Sequence, residues 1–450
     1  MNAGQSACPN DNATHNDEDK NTRSTGSIVV VGGGIIGMAC AWYLTRAGWS
    51  VTVLDRKTIG GACSHGNCGL ICPSHVLPLT EPGAFKIAIK SLLTPNSPFR
   101  IKPRMDPALW SWLWNFSRRC NHSSMILAAH GIQALLASGM HEYEQWISVE
   151  GMDCEWQHKG LLFAYNTPRE LEAYSSTNDL LAEHFNEPAR RLDAAESVAL
   201  EPALKESIAG SWYYEHDAHL RPDKLVHSMR QLLESQGCCF VEHANFSRIV
   251  SQGRDALRIE TDSGPFTADA YLFASGAWTP LLRDQLGCYV PIQPGKGYSI
   301  TMPRPTPCAD IPLIFPEHRV AVTPMLSGYR LGSIMEFAGY DESIRPERLQ
   351  LLRDGAAHYL RQPAGASATA SGENGETIET WYGWRPMTYD GLPVIDRSPA
   401  WNNVWIAAGH NMLGLSMAPS TGRLVSELIS EHTPHLDPTP YRASRFKTPG

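Results

Sequence analysis

A chain of 450 residues is longer than one hydrophobic core usually organises, so two domains are expected. With 42% hydrophobic and 19% charged residues it is neither a disordered nor a fibrous sequence. A net charge of −8 without a Lys/Arg tract excludes a general nucleic-acid binder, and eleven cysteines are too sparse for a disulfide scaffold, which suggests reduced thiols and a cytoplasmic location.

Residues 1–25 are polar, lack the apolar core of a signal peptide and the arginines of a transit peptide, and are expected to be a disordered tail. Ser27 to Thr45 is nearly long and apolar enough for a membrane span. Its four glycines and β-branched start favour a strand, a turn and a helix instead. IVVV reads as a strand buried on both faces, GGGIIG as the turn, MACAWYLTRAG as the helix, and VTVL, closed by Asp55, as the next strand. In this βαβ context Gly32 permits the tight turn and Gly34 lets backbone approach a diphosphate. Gly37 lets helix and strand pack, and Ile35 and Ile36 carry the first amides of the helix. Asp55 suits an adenosine ribose. The motif does not by itself separate FAD from NAD.

The following loop, RKTIGGACSHGNCGLICPS, supplies Arg56, Ser64, His65, Asn67 and Gly69, small or polar groups able to run beside a dinucleotide. Cys63, His65, Cys68 and Cys72 fit neither paired zinc ligands nor an iron–sulfur spacing, so no metal is expected. From Pro73 to Leu204 the pattern is largely helical and reads as an insertion; it includes the tryptophans Trp110, Trp112 and Trp114. A helix through KLVHSMRQLLESQG returns to strands, of which YLFA is stopped near Gly276. Another β-rich region spans Gly297 to Phe337, and Ala364 to Thr377 reads as a surface loop. NVWIAAGHNMLGLSMAPSTGRLVSELIS gives a last strand, glycine turn and helix that belong with the first βαβ unit.

These blocks, GGGIIG with Asp55, SHGNCGL, FASGAWT, PGKGYS, WYGWRPMTYDGLPVI and AAGHNMLGLSMAPSTG, resemble in their order the D-amino-acid oxidase family. Within it the resemblance is nearest to bacterial D-amino-acid dehydrogenases of the small-subunit type. It implies an α/β protein. An FAD-binding Rossmann-like domain (26–80, 205–290 and 380–435) is interleaved with a substrate domain of antiparallel sheet plus helices (81–204 and 291–379), before a tail at 436–450. It further implies that Gly409, His410, Leu413, Gly414 and Leu415 sit under the flavin and that Arg385 holds a substrate carboxylate. Tyr298 and Tyr329 are further pocket candidates. Gly383 stands where some relatives carry a flavin-tethering cysteine, which implies non-covalent FAD. Tyr389 replaces a proline usual in the dehydrogenases.

The activity implied is oxidative deamination of a free D-amino acid to a 2-oxo acid and ammonia by hydride transfer from Cα to flavin N5. Secondary amines such as D-proline or hydroxy-D-proline, and glycine or sarcosine, remain open as substrates, as does a flavin-binding subunit without turnover of its own. Electrons would pass to a quinone, another carrier or O2. The tryptophan-rich helix leaves open a peripheral contact with the inner face of the plasma membrane.

Overall fold

The computed structural model describes residues 25–92, 97–362 and 379–446. The expected tail at 1–25 falls almost entirely outside these residues, and the expected loop at 364–377 does so completely.

The first strand, Gly26–Val31, is central in a six-stranded sheet because its inner residues are apolar on both faces. It is flanked in parallel by Trp49–Leu54 and Ala270–Phe273. Cys239–Val241 lies beyond the former and Val404–Ala408 beyond the latter; Val394–Arg397 closes the edge antiparallel. The last βα element thus lies in the same layer as the first. Helix Ile35–Arg46 is apolar almost all round because it is sandwiched between this sheet and the C-terminal helix Gly414–Ile429. Two glycines set the spacing. A Cβ at Gly422 would stand 2.5 Å from the Ala39 carbonyl, and one at Gly139, on the long helix His122–Ser148, would stand 2.3 Å from the Ser416 carbonyl.

The second layer is a nine-stranded, mostly antiparallel sheet. Glu379–Thr388, Ile292–Met302 and Gly328–Phe337 lie side by side at one end. The region read as helical insertion contributes helices Pro107–Arg119 and His122–Ser148, begun by the side-chain caps of Asp106 and Asn121. It also contributes strands Leu161–Tyr165 and Arg190–Asp193, which reach this sheet. LLFAY carries no period-two alternation because both its faces are covered. Gly210–Tyr214 and Glu379–Thr388, expected on the cofactor side, pair into the large sheet as well.

The expected tail at 436–450 is packed as far as it is described. The Tyr441 hydroxyl donates to the Gly131 carbonyl at 2.8 Å, Arg445 pairs with Asp390 at 2.8 Å, and Phe446 is buried. Among the described residues no helix is long and apolar enough to cross a membrane.

Candidate active site

The turn after the first strand is built by exclusion of side chains. Gly32 has φ +115°, and a Cβ there would lie 2.5 Å from the Ala274 carbonyl; one at Gly37 would lie 1.9 Å from the Gly32 carbonyl. Gly34 differs. Its Cβ would meet only Ser64 Oγ, at 3.6 Å, so its bare face opens onto a cavity. The helix behind it begins at Ile35, whose amide donates to Ser64 Oγ at 2.9 Å, while the other first-turn amides have no intrahelical acceptor. Asp55 is fixed at the end of the neighbouring strand by the Gly33 amide and by the Lys57 amide, both at 2.8 Å.

The cavity measures about 900 Å³. Gly32, Gly34, Ile35, Ile36, Asp55 and Arg56 line one part of it, Ser64, Asn67 and Gly276 continue the wall, and His410, Leu413, Gly414 and Leu415 line another part with Arg385. The second helix start, at Gly414, has no side-chain cap, so it too presents unpaired amides and a positive dipole end to the cavity. His410 is buried beside it with Nε2 3.1 Å from Thr421 Oγ1, and burial pushes its pKa down to about 3, leaving a neutral ring.

Arg385 lies flat against the backbone of the next strand. Nη1 donates to the Ile334 carbonyl at 3.0 Å and Nη2 to the Ser333 carbonyl at 3.3 Å, and a Cβ at Gly297 would be 2.1 Å from Nη1. Those two carbonyls are turned toward it by a bulge at which Ser333 (φ 95°) and Ile334 (φ 36°) adopt positive φ and the strand register shifts. Three of its five N–H donors remain for another partner.

Five expected residues do not line the cavity. Gly37 serves the helix contact described above, and Gly409 (φ +86°) serves its turn against Thr388. Gly69 (φ +77°) abuts the Leu220 carbonyl, where two short strands pair. The His65 ring turns away to Glu379, at 2.6 Å. Tyr329 is buried in a core with Ile300, Leu331 and Tyr359. Its neighbour Arg330 explains this. The Arg330 guanidinium reaches the Asn67 carbonyl (2.6 Å) and the His65 carbonyl (3.2 Å) beside the cavity, so alternation along the strand sends Tyr329 to the opposite face. Tyr298 lines the cavity, but it is buried and its hydroxyl is taken up by buried Glu336, to which it donates at 2.9 Å.

Other lining residues were not singled out from the sequence: Tyr165, Tyr174, Trp278, Arg319 and Trp381. Trp381 lies across Gly66 and Gly383, at either of which a Cβ would come within 2.2 Å of the indole. The run WYGW marks an aromatic wall, yet only the strand pairing decides which ring faces inward. The Arg56 guanidinium stacks on Trp278 at 3.8 Å.

The cysteines of the loop form no ligand set together, but Cys72, His75 and Asp217 bring their ligand atoms within 4.8 Å of one another. Asp217 is satisfied within the protein, accepting from the Ser74 hydroxyl (2.6 Å) and amide (3.2 Å). Burial pushes it up to about 7 and His75 down to about 4. The Cys72 thiol, pushed well up by burial, and the His75 ring are thus neutral near pH 7, and Asp217 is held well above the usual carboxylate range.

A βαβ turn with a bare glycine cradle, a carboxylate closing the second strand and a second helix end on the same cavity together define a dinucleotide-dependent oxidoreductase. The chain belongs to the DAO family, described as FAD dependent oxidoreductase, whose profile matches residues 27–428. A protein of Rhizorhabdus wittichii named D-amino acid dehydrogenase is 31% identical over 91% of this chain and 97% of its own length. Its namesake in Paramagnetospirillum magneticum is 30% identical over 90% and 94%. Among solved structures, glycine oxidase from Geobacillus kaustophilus superposes with a TM-score of 0.70 at 22% identity, covering 94% of this chain and all of that one. L-proline dehydrogenase from P. horikoshii gives 0.68 at 20%, covering 94% and 98%. FAD is the cofactor of this family, and the residues fit it: the Gly34 cradle is open, and the buried Trp384 indole N–H on the cavity wall has no protein partner.

Proposed function

We propose that this protein oxidises a free D-amino acid to its imino acid, which water converts to a 2-oxo acid and ammonia, and that the electrons pass to a quinone or another carrier. The observation that carries the reading is Arg385, a planar guanidinium held against Gly297 inside the FAD-family cavity with donors to spare. Relatives named D-amino acid dehydrogenase that align over nine-tenths of the chain support it.

When bound, FAD supplies the two-electron acceptor for the hydride that leaves the substrate Cα. Gly32, Gly34 and the first amides of helix Ile35–Arg46 would hold its diphosphate, Asp55 its ribose, and Gly414, Leu415 and neutral His410 the edge of its ring. Arg385 binds the substrate carboxylate through its remaining N–H groups and so orients Cα. Attachment is non-covalent, since Gly383 offers no thiol and the space a side chain would need is filled by Trp381.

Anaerobic addition of D-alanine to the yellow holoprotein tests the reading: the flavin bleaches. Bleaching by D-proline, glycine or sarcosine but by no primary D-amino acid would reassign the substrate, and no bleaching by any amine would point to a subunit without turnover.

We also infer a peripheral membrane contact through helices Ala84–Leu92 and Pro107–Arg119. Trp110 and Trp114 are 47% and 66% exposed beside exposed Ile87 and Ile89, with Lys86 and Arg118 exposed on the same helices; Trp112 is instead buried and donates to the Met387 carbonyl. Co-sedimentation with phosphatidylglycerol vesicles checks this, and equal binding by a Trp110→Ser, Trp114→Ser variant would overturn it.

A further inference from the structure

Besides Arg385 and Arg56, which stacks on Trp278, the cavity is lined by a third arginine. Arg319 lines it from the tight turn that follows strand Leu313–Phe315, in a left-handed conformation (φ 53°) unusual for a residue with a side chain. Its backbone is tied to the same bulge that carries Arg385. The Ile334 amide donates to the Arg319 carbonyl at 3.2 Å, and the Ile334 carbonyl accepts from Arg385 Nη1. One residue therefore separates the anchor points of two arginines on one cavity.

The Arg319 guanidinium has no hydrogen-bond or ion-pair partner among the described residues; it sits over the Phe99 ring at 5.6 Å. Protein around it pushes its pKa down, yet its side chain is exposed and lines the cavity. Glu81 shares these properties. It lines the cavity, is exposed to it, is pushed up by burial, and feels Arg319 as its nearest opposite charge without closing to within 4 Å. A surface pair would close or be hydrated. Two opposite charges on one cavity, which Phe99, Tyr165, Tyr174 and Pro316 also line, form a receptor for a group that both donates and accepts.

Resting on the reading of an amino-acid substrate, we propose that Arg319 and Glu81 read the far end of that substrate and favour a side chain ending in a carboxamide. The amide carbonyl accepts from the Arg319 guanidinium and the amide NH2 donates to the Glu81 carboxylate, while the aromatic wall covers the methylene groups. A terminal carboxylate satisfies Arg319 but faces Glu81, a terminal ammonium does the reverse, and an aliphatic end leaves both unpaired. A site built to hydrogen-bond its ligand discriminates more strongly than an apolar one against analogues that lack the polar group.

The experiment is steady-state turnover by the holoenzyme with an artificial electron acceptor, on D-alanine, D-asparagine, D-glutamine, D-glutamate, D-lysine and D-norleucine. The better of D-asparagine and D-glutamine is expected to exceed D-norleucine, D-glutamate and D-lysine in kcat/KM by about tenfold or more. Arg319→Met is expected to lower the ratio of carboxamide to D-alanine kcat/KM by about the same factor. Glu81→Gln is expected to shift preference from D-glutamine toward D-glutamate. Turnover of D-alanine with no carboxamide preference, or ratios unmoved in both variants, overturns this proposal and leaves the amino-acid reading in place; failure of every amino acid to bleach the flavin removes both.

Discussion

The guanidinium of Arg385 rests on the backbone of Gly297, with room for nothing between them: a Cβ at residue 297 would fall 2.1 Å from Nη1 and 2.6 Å from the guanidinium carbon. The pose of the proposed substrate anchor is therefore set by the absence of a side chain one strand away. Gly297→Ala is expected to displace Arg385 and raise KM while FAD stays bound. Arg385→Ala should cost roughly 2–5 kcal/mol in kcat/KM, the range for losing one partner of a buried charge pair. Steady-state kinetics and flavin absorbance check both, and an unchanged KM in either variant removes this residue from the site.

Gly34 and Gly37 make a sharper contrast than their shared motif suggests. Gly34 has φ −72° and free space at its Cβ position, so Gly34→Ala should fold normally and yet bind FAD at least tenfold more weakly, because the methyl group occupies the diphosphate's approach. Gly37→Ala puts a methyl group 1.9 Å from a carbonyl and should lose folded protein outright. Far-ultraviolet circular dichroism together with FAD titration separates the two outcomes. Equal FAD affinity in Gly34→Ala and the unaltered protein would rule out the proposed cradle.

Arg330, fully buried, donates from Nε to Thr301 Oγ1 and from Nη1 to the carbonyls of His65 and Asn67. It is a positioning residue that ties the large sheet to the glycine loop beside the cavity. Arg330→Met should leave those carbonyls without their charged donor, cost about 2–4 kcal/mol of stability and weaken FAD binding; hydrogen bonds to charged groups carry this order of energy. Thermal unfolding with and without added FAD measures it, and a dissociation constant within twofold of the original would mean the loop holds its shape unaided.

Buried titrating groups set the pH response. His75, His219 and His410 are pushed by burial to about 4, 4 and 3. An unfolded histidine takes up its proton near pH 6.5 and these folded ones resist it, so their stabilising effect is complete above that pH and is lost as pH falls toward 4. Asp217 works in the opposite direction. Raised from 3.8 to about 7, it destabilises the fold progressively as pH rises between those values. From pH 6.5 to about 4 these four groups leave a net two protons favouring the unfolded chain, roughly 2.7 kcal/mol lost per pH unit. His219→Gln, at a position that does not line the cavity, should flatten that slope by about 1.4 kcal/mol per unit in urea titrations of the holoprotein at fixed FAD. An unaltered slope would contradict the assignment.

The βαβ unit was legible because everything it needs is local: a strand buried on both faces, a glycine turn, a helix and a closing acid within thirty residues. Arg385 was legible through resemblance, while its Gly297 partner and the Ser333–Ile334 bulge follow only from strand pairing. Tyr329 lies off the cavity, and Tyr298 lines it but sends its hydroxyl to Glu336, for one reason. Along a strand the face of a residue is fixed by parity and register, and neither can be counted through a stretch that contains a bulge. Arg319 and Glu81 lie more than two hundred residues apart in the sequence, and nothing near either announces that they line the same cavity.

In the sheet that carries the glycine cradle, the strands on one side of the first strand are Ala270–Phe273 and, beyond it, Val404–Ala408. A ribosome must therefore pass residue 273 before the first strand has both its neighbours and residue 408 before the parallel part of the sheet is whole, and until then the nascent βαβ unit waits with one sheet edge bare. Such long-range closure makes for slow folding and a vulnerable interval during synthesis, a penalty the protein accepts for gripping its dinucleotide from both extremes of the sequence.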